Sequence, residues 1–459
     1  MRLVENETTS LQSVAFLTLG CKVNSYETEA IKGLFTEEGF TTVDFTDKAD
    51  VYVINTCTVT NIADRKSRQM LHKARKMNEN AIVIAVGCYA QAAGEVLKED
   101  GAIDIVIGNN RKKDIIPILK EYVYGEEIRD SIIDIGKTSE YEELTVETVE
   151  EKTRAYIKIQ DGCNQFCSYC IIPYARGRVR SRKEEDILNE VRTLAERGYQ
   201  EIVLTGIHLS SYGSDFEKKE YDGEEDLQKG KHNLLNLIVS LSEVEKIKRI
   251  RLGSLEPRII TEDFVKTLSG NEKFCPHFHL SLQSGSDDTL KRMNRKYSAK
   301  EYYDSCCLIR EYFKNPAITT DVIVGFPGET EEEFEETKVF IQKINFSSIH
   351  IFKYSVRKGT RAETMENQVK EEKKAERSNI LMGIEKDMAY AYKDSFIGKI
   401  EKVLVEETIS LGGKTYQVGH NERYVKLAFE SDVDHINEIV SVKVVDRLNK
   451  ELMLGEITD

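Results

Sequence analysis

From residue 14 to residue 355, apolar runs of five to nine residues alternate with amphipathic helical patterns. Runs this uniformly apolar do not suit a sheet with one wet face. They call for a parallel sheet covered by helices on both sides, so the fold class is α/β. VAFLTLG (14–20), TTVDF (41–45), VYVINTC (51–57), AIVIAVGC (81–88) and DIVIG (104–108) alternate with helical patterns at 24–38, 60–77, 90–99 and 111–123. This predicts a doubly wound α/β domain over residues 1–120. RAYIKIQ (154–160), EIVLTG (201–206), IKRIRLGS (247–254), HFHLSLQ (277–283), AITTDVIVG (317–325) and SSIHIFKYS (347–355) repeat the alternation over 152–388. Six such units predict an open, partial (β/α)6 barrel, since a closed one takes eight. Beyond 389 the helical pattern fades into five short alternating strands with Gly turns, which predict a small all-β, OB-like barrel over 389–459.

Composition first argues against a nucleic-acid partner. The chain holds 79 acidic and 65 basic residues, a net charge of −14, whereas phosphate binding leaves a basic footprint. The acid is concentrated, however, in residues 121–151 (net −9), 215–226 (net −5) and 329–336 (net −6). The first stretch reads as an acidic linker between domains, the second as a surface insertion, and the third as a helix start. The remainder of the chain is basic. Arg176, Arg178, Arg180, Arg182 and Lys183 form one cluster, and Arg65, Lys66, Arg68, Lys73, Arg75 and Lys76 form another on one predicted helix. Each is either a solvated face or a groove for a phosphate backbone. The 389–459 barrel is itself acidic, so its RNA contacts are expected to be few and local. The first sixteen residues lack the apolar core of a signal peptide, and the longest apolar run, at 81–90, is too short to span a bilayer. The expected location is cytoplasmic, with no membrane partner, and the nine cysteines are expected to be reduced and available to metal.

Six cysteines fall into two sets. Cys163, Cys167 and Cys170 follow the first barrel strand in the spacing C-x3-C-x2-C. Soft thiolates select iron–sulfur clusters or zinc, and a structural zinc wants a fourth ligand that is not nearby. Three thiolates can hold three irons of a [4Fe–4S] cluster and leave the fourth iron open. Cys21, Cys57 and Cys88 each end a predicted parallel strand. Carboxyl ends of parallel strands share one edge, where ligands bind, so these thiols are expected to converge on a second cluster; three merely buried thiols are the alternative. Cys275, Cys306 and Cys307 follow no such logic and read as ordinary core or surface thiols.

The C-x3-C-x2-C motif on a partial barrel resembles the radical S-adenosylmethionine (SAM) enzymes. With the three scattered cysteines and the small C-terminal barrel, nearly the whole chain resembles the methylthiotransferases of that superfamily. TLGCKVNSYETE (18–29) and DGCNQFCSYCIIPYARGRVRSR (161–182) look most like the MtaB-type tRNA subgroup. The resemblance implies methylthiolation at C2 of N6-threonylcarbamoyladenosine, beside the anticodon. It implies a radical SAM cluster on Cys163, Cys167 and Cys170, an auxiliary cluster on Cys21, Cys57 and Cys88, and a TRAM-like C-terminal barrel. The implied cofactors are two [4Fe–4S] clusters and SAM. The implied partners are the anticodon stem-loop of tRNA, an electron donor such as flavodoxin or ferredoxin, and a sulfur source.

The parts suit the reaction. The adenine C2–H is neither acidic nor activated, so general acid–base groups cannot remove it, and a cofactor-derived radical is required. SAM then serves as radical source and as methyl donor. Tyr169, beside the last cluster cysteine, is expected near the SAM adenine, and Thr205 and Gly206 near its amino group. Ser254, Glu256, Gln283 and Gly325 lie at strand carboxyl ends, where barrel chemistry gathers. His208 reads as a loop histidine. Arg176, Arg178, Arg180 and Arg182 are the expected RNA contacts. Competing readings are the same chemistry on isopentenyladenosine tRNA or a ribosomal protein, and a zinc-stabilised RNA-binding module without enzyme activity.

Overall fold

The computed structural model describes residues 11–146, 153–216 and 234–458, so most of the acidic insertion at 215–226 lies outside the described residues. The first sheet holds β1 (Ser13–Thr18), β2 (Thr41–Val43), β3 (Val51–Thr56), β4 (Ile82–Gly87) and β5 (Ile105–Ile107). All pairs are parallel, in the order β2-β1-β3-β4-β5. This is a doubly wound order whose direction reverses between β1 and β3. Every residue of β3 is buried, because both faces are covered. Val51 and Val53 pack towards helices Lys22–Glu37 and Ile115–Val123, with Ile31, Phe35 and Ile118. Tyr52 and Ile54 pack on the opposite side, with Leu71 and Ala74 of helix Asn61–Met77. The helical pattern at 90–99 proves to be two short helices, Cys88–Ala92 and Gly94–Lys98.

The second unit is an open barrel of parallel strands. β6 (Arg154–Asp161), β8 (Glu201–Gly206) and β9 (Arg249–Leu252) pair in one sheet, with a two-residue antiparallel β7 (Arg180–Ser181) on the edge. β10 (Ser254–Leu255), β11 (His277–Leu280), β12 (Ala317–Val324) and β13 (Ser348–Lys353) form the other. The third predicted strand is thus broken at Gly253, whose N–H donates to Leu204 O (2.8 Å) as the chain leaves β8 for β11. One core runs along the outer face of the barrel, from Ile157 and Ile202 through Leu252 to Val322 and Ile341.

The acidic stretch after residue 120 is no loose linker. Its described part has little regular structure, yet Ile135, Leu144 and Val146 are buried, and Gln91 Nε2 donates to Ile133 O (2.9 Å). It acts as a strap that packs against both units.

The last unit is a closed barrel of β14 (Ile400–Leu411), β15 (Lys414–Asn421), β16 (Lys426–Phe429), β17 (Ile439–Arg447) and β18 (Leu452–Ile457). It packs Val403, Val405, Leu427, Phe429, Val442, Val444 and Met453 inside, and it follows the long helix Glu371–Asp394. It docks on the strand starts of the open barrel. Arg249 donates to the carbonyls of His420 and Lys402 (3.0 and 2.7 Å), and Arg251 to that of Glu422 (2.9 Å). The guanidinium groups of Arg154 and Arg251 cover the Tyr424 ring at 5.1 and 4.9 Å. β6 begins in this interface at Arg154 and ends two residues before Cys163, so the docked barrel sits about 23 Å of strand away from the cysteine loop. Among the described residues, no helix is long and apolar enough to cross a membrane.

Candidate active site

Both cysteine sets lie at strand carboxyl ends. Cys21 follows β1 and caps helix Lys22–Glu37, Cys57 follows β3, and Cys88 follows β4. Cys21, Cys88 and Cys163 each come directly after a glycine with positive φ (104°, 94° and 71°), which turns the chain sharply at the sheet edge. At Gly20 the reason is spatial as well. A Cβ there would lie 2.9 Å from Cys57 Sγ, so the missing side chain is what lets the Cys21 and Cys57 loops meet. Thiols from three strands thereby come close enough that each one's charge acts on the next.

The C-x3-C-x2-C loop is pinned by backbone bonds. Cys163 N–H donates to Gly177 O (3.0 Å), Ser168 N–H to Met293 O (3.0 Å), and Ala362 N–H to Ser168 O (2.8 Å). Phe166 takes φ 48°, held by Asn294 Nδ2 on its carbonyl (3.0 Å) and by the Arg178 guanidinium 4.5 Å over its ring. The Cys163, Cys167 and Cys170 thiols also act on one another electrostatically.

Two guanidinium groups reach the sulfurs. Arg176 Nε donates to Cys88 Sγ at 3.1 Å, and Arg295 Nη1 to Cys167 Sγ at 3.2 Å. Burial pushes the Cys57 thiol up to about 11 and the Cys170 thiol up to about 12. Buried thiols of this kind give up their protons to a metal, and a cation alongside favours the thiolate so formed. Among the described residues, no three ligating side chains close on a single metal ion. A cluster of four irons spreads three thiolates over three metal atoms, and the two three-cysteine donor sets suit it.

Glu256 supplies a second test of fit. It is 2% exposed, and neither carboxylate oxygen has a hydrogen-bond partner. His208 Nε2 and Arg295 Nη2 stand 3.8 and 3.6 Å away, and its charge is felt at Cys163. A buried carboxylate left unsatisfied costs free energy, so Glu256 is free to accept from a ligand donor such as the ammonium or ribose hydroxyls of SAM. His208, placed in the sequence only as a loop residue, is buried enough that its pKa falls below the usual range, and its Nδ1 pairs with Ser211 Oγ (2.6 Å). Tyr169 packs edge-on against Phe326 (6.3 Å between ring centres). Thr205 is buried. Gly206 is approached by the Gln160 amide, which would lie 3.0 Å from a Cβ there. Ser254 is exposed, and Gln283 takes φ 72° with its backbone bonded to Asp321 and Ile323. At Gly325 (φ 71°) the Lys374 side chain occupies the space a Cβ would need, 2.3 Å away.

The structure buries three of the four arginines expected to contact RNA. Arg176, Arg180 and Arg182 are at most 1% exposed, and only Arg178 reaches the surface. Arg176 bonds Glu27 (2.9 Å), Asp161 (3.1 Å) and Asn24 Oδ1 (2.7 Å), besides Cys88. Arg180 lies 3.8 Å from Asp161, and Arg182 pairs with Glu190 and Glu143. Lys158 and Lys112 complete the network on Glu27 (2.8 and 3.3 Å). These charges join helix Lys22–Glu37 to the open barrel and are closed to a phosphate. Of the remaining cysteines, Cys275 and Cys306 are buried and Cys307 is exposed.

Residues 157–341 match the Radical SAM superfamily, and residues 13–108 match the family described as Uncharacterized protein family UPF0004. The chain is 41% identical over 437 residues to the threonylcarbamoyladenosine tRNA methylthiotransferase MtaB of Bacillus subtilis, covering 95% of this chain and 94% of that one. It is 41% identical over 403 residues to the enzyme of the same name from Aquifex aeolicus, covering 88% and 95%. It is 33% identical over 449 residues to a tRNA-2-methylthio-N(6)-dimethylallyladenosine synthase of Clostridium botulinum, covering 96% and 95%. In fold, it is similar to the radical S-adenosylmethionine methyltransferase TsrM of Kitasatospora setae, with TM-score 0.55, 15% identity and 77% of each chain covered. An identity of 41% over 88–95% of its length shows that this chain belongs to the radical SAM methylthiotransferase family, whose chemistry uses SAM and [4Fe–4S] clusters.

Proposed function

We propose that the chain installs a methylthio group at C2 of N6-threonylcarbamoyladenosine in tRNA, beside the anticodon. The observation that carries this is the higher identity to two enzymes named for threonylcarbamoyladenosine (41%) than to the dimethylallyladenosine synthase (33%), over comparable coverage of this chain. Cys163, Cys167 and Cys170 would hold the cluster that binds SAM, and Cys21, Cys57 and Cys88 the auxiliary one. When bound, the first cluster supplies the electron that splits SAM, and the second carries the sulfur to be methylated and transferred.

The chain's own residues have definable tasks. Arg295 links the first cysteine set to Glu256, since its guanidinium touches Cys167 and faces the carboxylate. Glu256 is left to accept from the ligand, and it orients whatever donor it takes. Arg176 does the corresponding work for the second set, holding Cys88 in line with Asn24 and Glu27 of the helix that starts at Cys21. The reaction further calls for an electron donor of the flavodoxin or ferredoxin class, a sulfur source and a cytoplasmic setting.

The test is nucleoside analysis of tRNA from a strain lacking this protein, complemented with wild type or with Cys57→Ala. The expected outcome is loss of the methylthio group from the threonylcarbamoyl nucleoside, restored by wild type only. The Cys57→Ala protein is expected to cleave SAM and yield no methylthio product. A methylthio group that persists on that nucleoside, with loss from the dimethylallyl one instead, would reassign the substrate.

A further inference from the structure

With three of the four expected arginines buried and the closed barrel docked far from the cysteines, the site lacks an evident hold on RNA. The chain carries a second basic element. Helix Asn61–Met77 carries six Lys and Arg residues against one acid, in a chain of net charge −14. Arg65, Arg68, Gln69, His72, Lys73 and Lys76 recur at intervals of three and four, and together they line one shallow groove along the helix. They extend over about 16 Å of helix axis. Nearby carboxylates neutralise the stripe only in part. Asp64 is taken by Thr58 (2.7 Å) and Arg357 (2.8 Å) and Asp104 by Arg75 on the flank, while Asp100 pairs with His72 (2.8 Å), accepts from Ala102 N–H (3.0 Å) and acts electrostatically on Arg68.

The opposite face of the same helix is tied to the auxiliary cysteines. Ser67 Oγ accepts from Cys57 N–H (3.2 Å) and donates to Cys57 O (3.1 Å), and Leu71 and Ala74 are buried beside it. The helix start is clamped to the open barrel. Arg357 donates to Asn61 Oδ1 (2.8 Å) and to Thr58 Oγ1 (2.6 Å), and Asn61 Nδ2 donates to Val356 O (2.9 Å). Val59 and Ile62, 54% and 68% exposed, lie between Cys57 and the first cation of the stripe, an apolar surface suited to a base or ribose.

We propose that this exposed stripe binds the phosphate backbone of the RNA substrate and sets the strand beside the Cys57 loop. The proposal rests on the reading of the chain as a tRNA-modifying enzyme. Like charges at intervals of three and four destabilise a helix, so a stripe kept free of acids at this position is explained by an anionic partner. The binding it supplies is independent of sequence and sensitive to salt.

The test measures binding of an anticodon stem-loop RNA carrying N6-threonylcarbamoyladenosine to the iron-loaded protein across a range of salt concentrations. Arg65→Gln/Lys73→Gln/Lys76→Gln keeps helix propensity and removes three charges. Each lost phosphate contact lowers the slope of log affinity against log salt by about 0.7–0.9, so a fall of about two and a binding loss of tenfold or more at low salt are expected. Lys98→Gln/Lys246→Gln/Lys300→Gln removes the same charge from other helices and loops and should leave the slope alone. Arg65→Lys/Lys73→Arg/Lys76→Arg, which keeps the charge, should bind as wild type does, and this separates charge from folding. Equal losses in both Gln triples, or none in the helix triple, would overturn the proposal. Failure of the wild type to bind the RNA would overturn the tRNA reading instead.

Discussion

Two arginine- and lysine-rich segments of this chain look alike on paper and behave oppositely in space. Residues 176–182 place three guanidinium groups at or below 1% exposure, facing Glu27, Asp161 and Glu190. Residues 65–76 leave Arg65, Lys66, Arg68, Lys73 and Lys76 exposed on the outer face of a helix, while Arg75 turns to Asp104. A buried charge persists only when it is paired and hydrogen-bonded, so the first segment is an interdomain joint. A solvated cationic stripe costs the fold only the mild repulsion of like charges along one helix face, so the second is free to serve a ligand.

The sharpest way to break this contrast is Arg176→Met. Removing one partner of a buried ion network costs about 3–5 kcal/mol, because Glu27 and Asp161 lose a principal counter-charge. The loss should appear as reduced hydrogen-exchange protection of helix Lys22–Glu37 in the iron-loaded protein. A change below about 1 kcal/mol would mean that the joint does not depend on its arginine.

Acid should strain the same joint at a smaller scale. Burial alone would raise the Glu27 carboxyl, but Arg176, Lys112 and Lys158 outweigh it and hold the group far below its usual range; Lys158 and Arg176 do the same for Asp161. A depressed folded pKa contributes stability that is fully present above the unfolded value of about 4 and is lost as pH falls towards the folded one. Protection of helix Lys22–Glu37 is therefore expected to decline below about pH 4, and less steeply in Glu27→Gln. An identical acid profile in that variant would remove Glu27 from the linkage.

The smallest effect belongs to the exposed stripe. Lys76→Gln should change stability by no more than about 0.5 kcal/mol, read as unaltered protection of helix Asn61–Met77, while RNA binding weakens. A loss above about 1 kcal/mol would show that the stripe is structural after all.

Much of the fold was legible along the chain because its cause is local. Apolar runs and helical periods located the parallel strands of both α/β units and the closing barrel, and they failed where a strand changes neighbours. The break at Gly253 arises because β9 follows β8 while β10 follows β11, a choice made by the barrel and not by the residues of the strand. C-x3-C-x2-C stands out in the sequence through its spacing alone. Glu256 was visible as a residue at a strand end, but its two unpartnered oxygens were not. Arg295 carries no sequence signal, since it meets Cys167 across 128 residues.

By itself, the sequence determined the strand–helix alternation, the three-thiolate loop and a second set of cysteines at strand ends. Only the tertiary structure decided that Gly20 lets the Cys21 and Cys57 loops meet, that Arg176 reaches both Cys88 and Glu27, and which basic cluster stays in water. The division has one physical source. Backbone propensity and hydrophobic period act over a few residues and can be read in order along the chain. The free energy of a buried charge depends on which groups the fold brings within a few ångströms of it, and those groups lie far away along the chain.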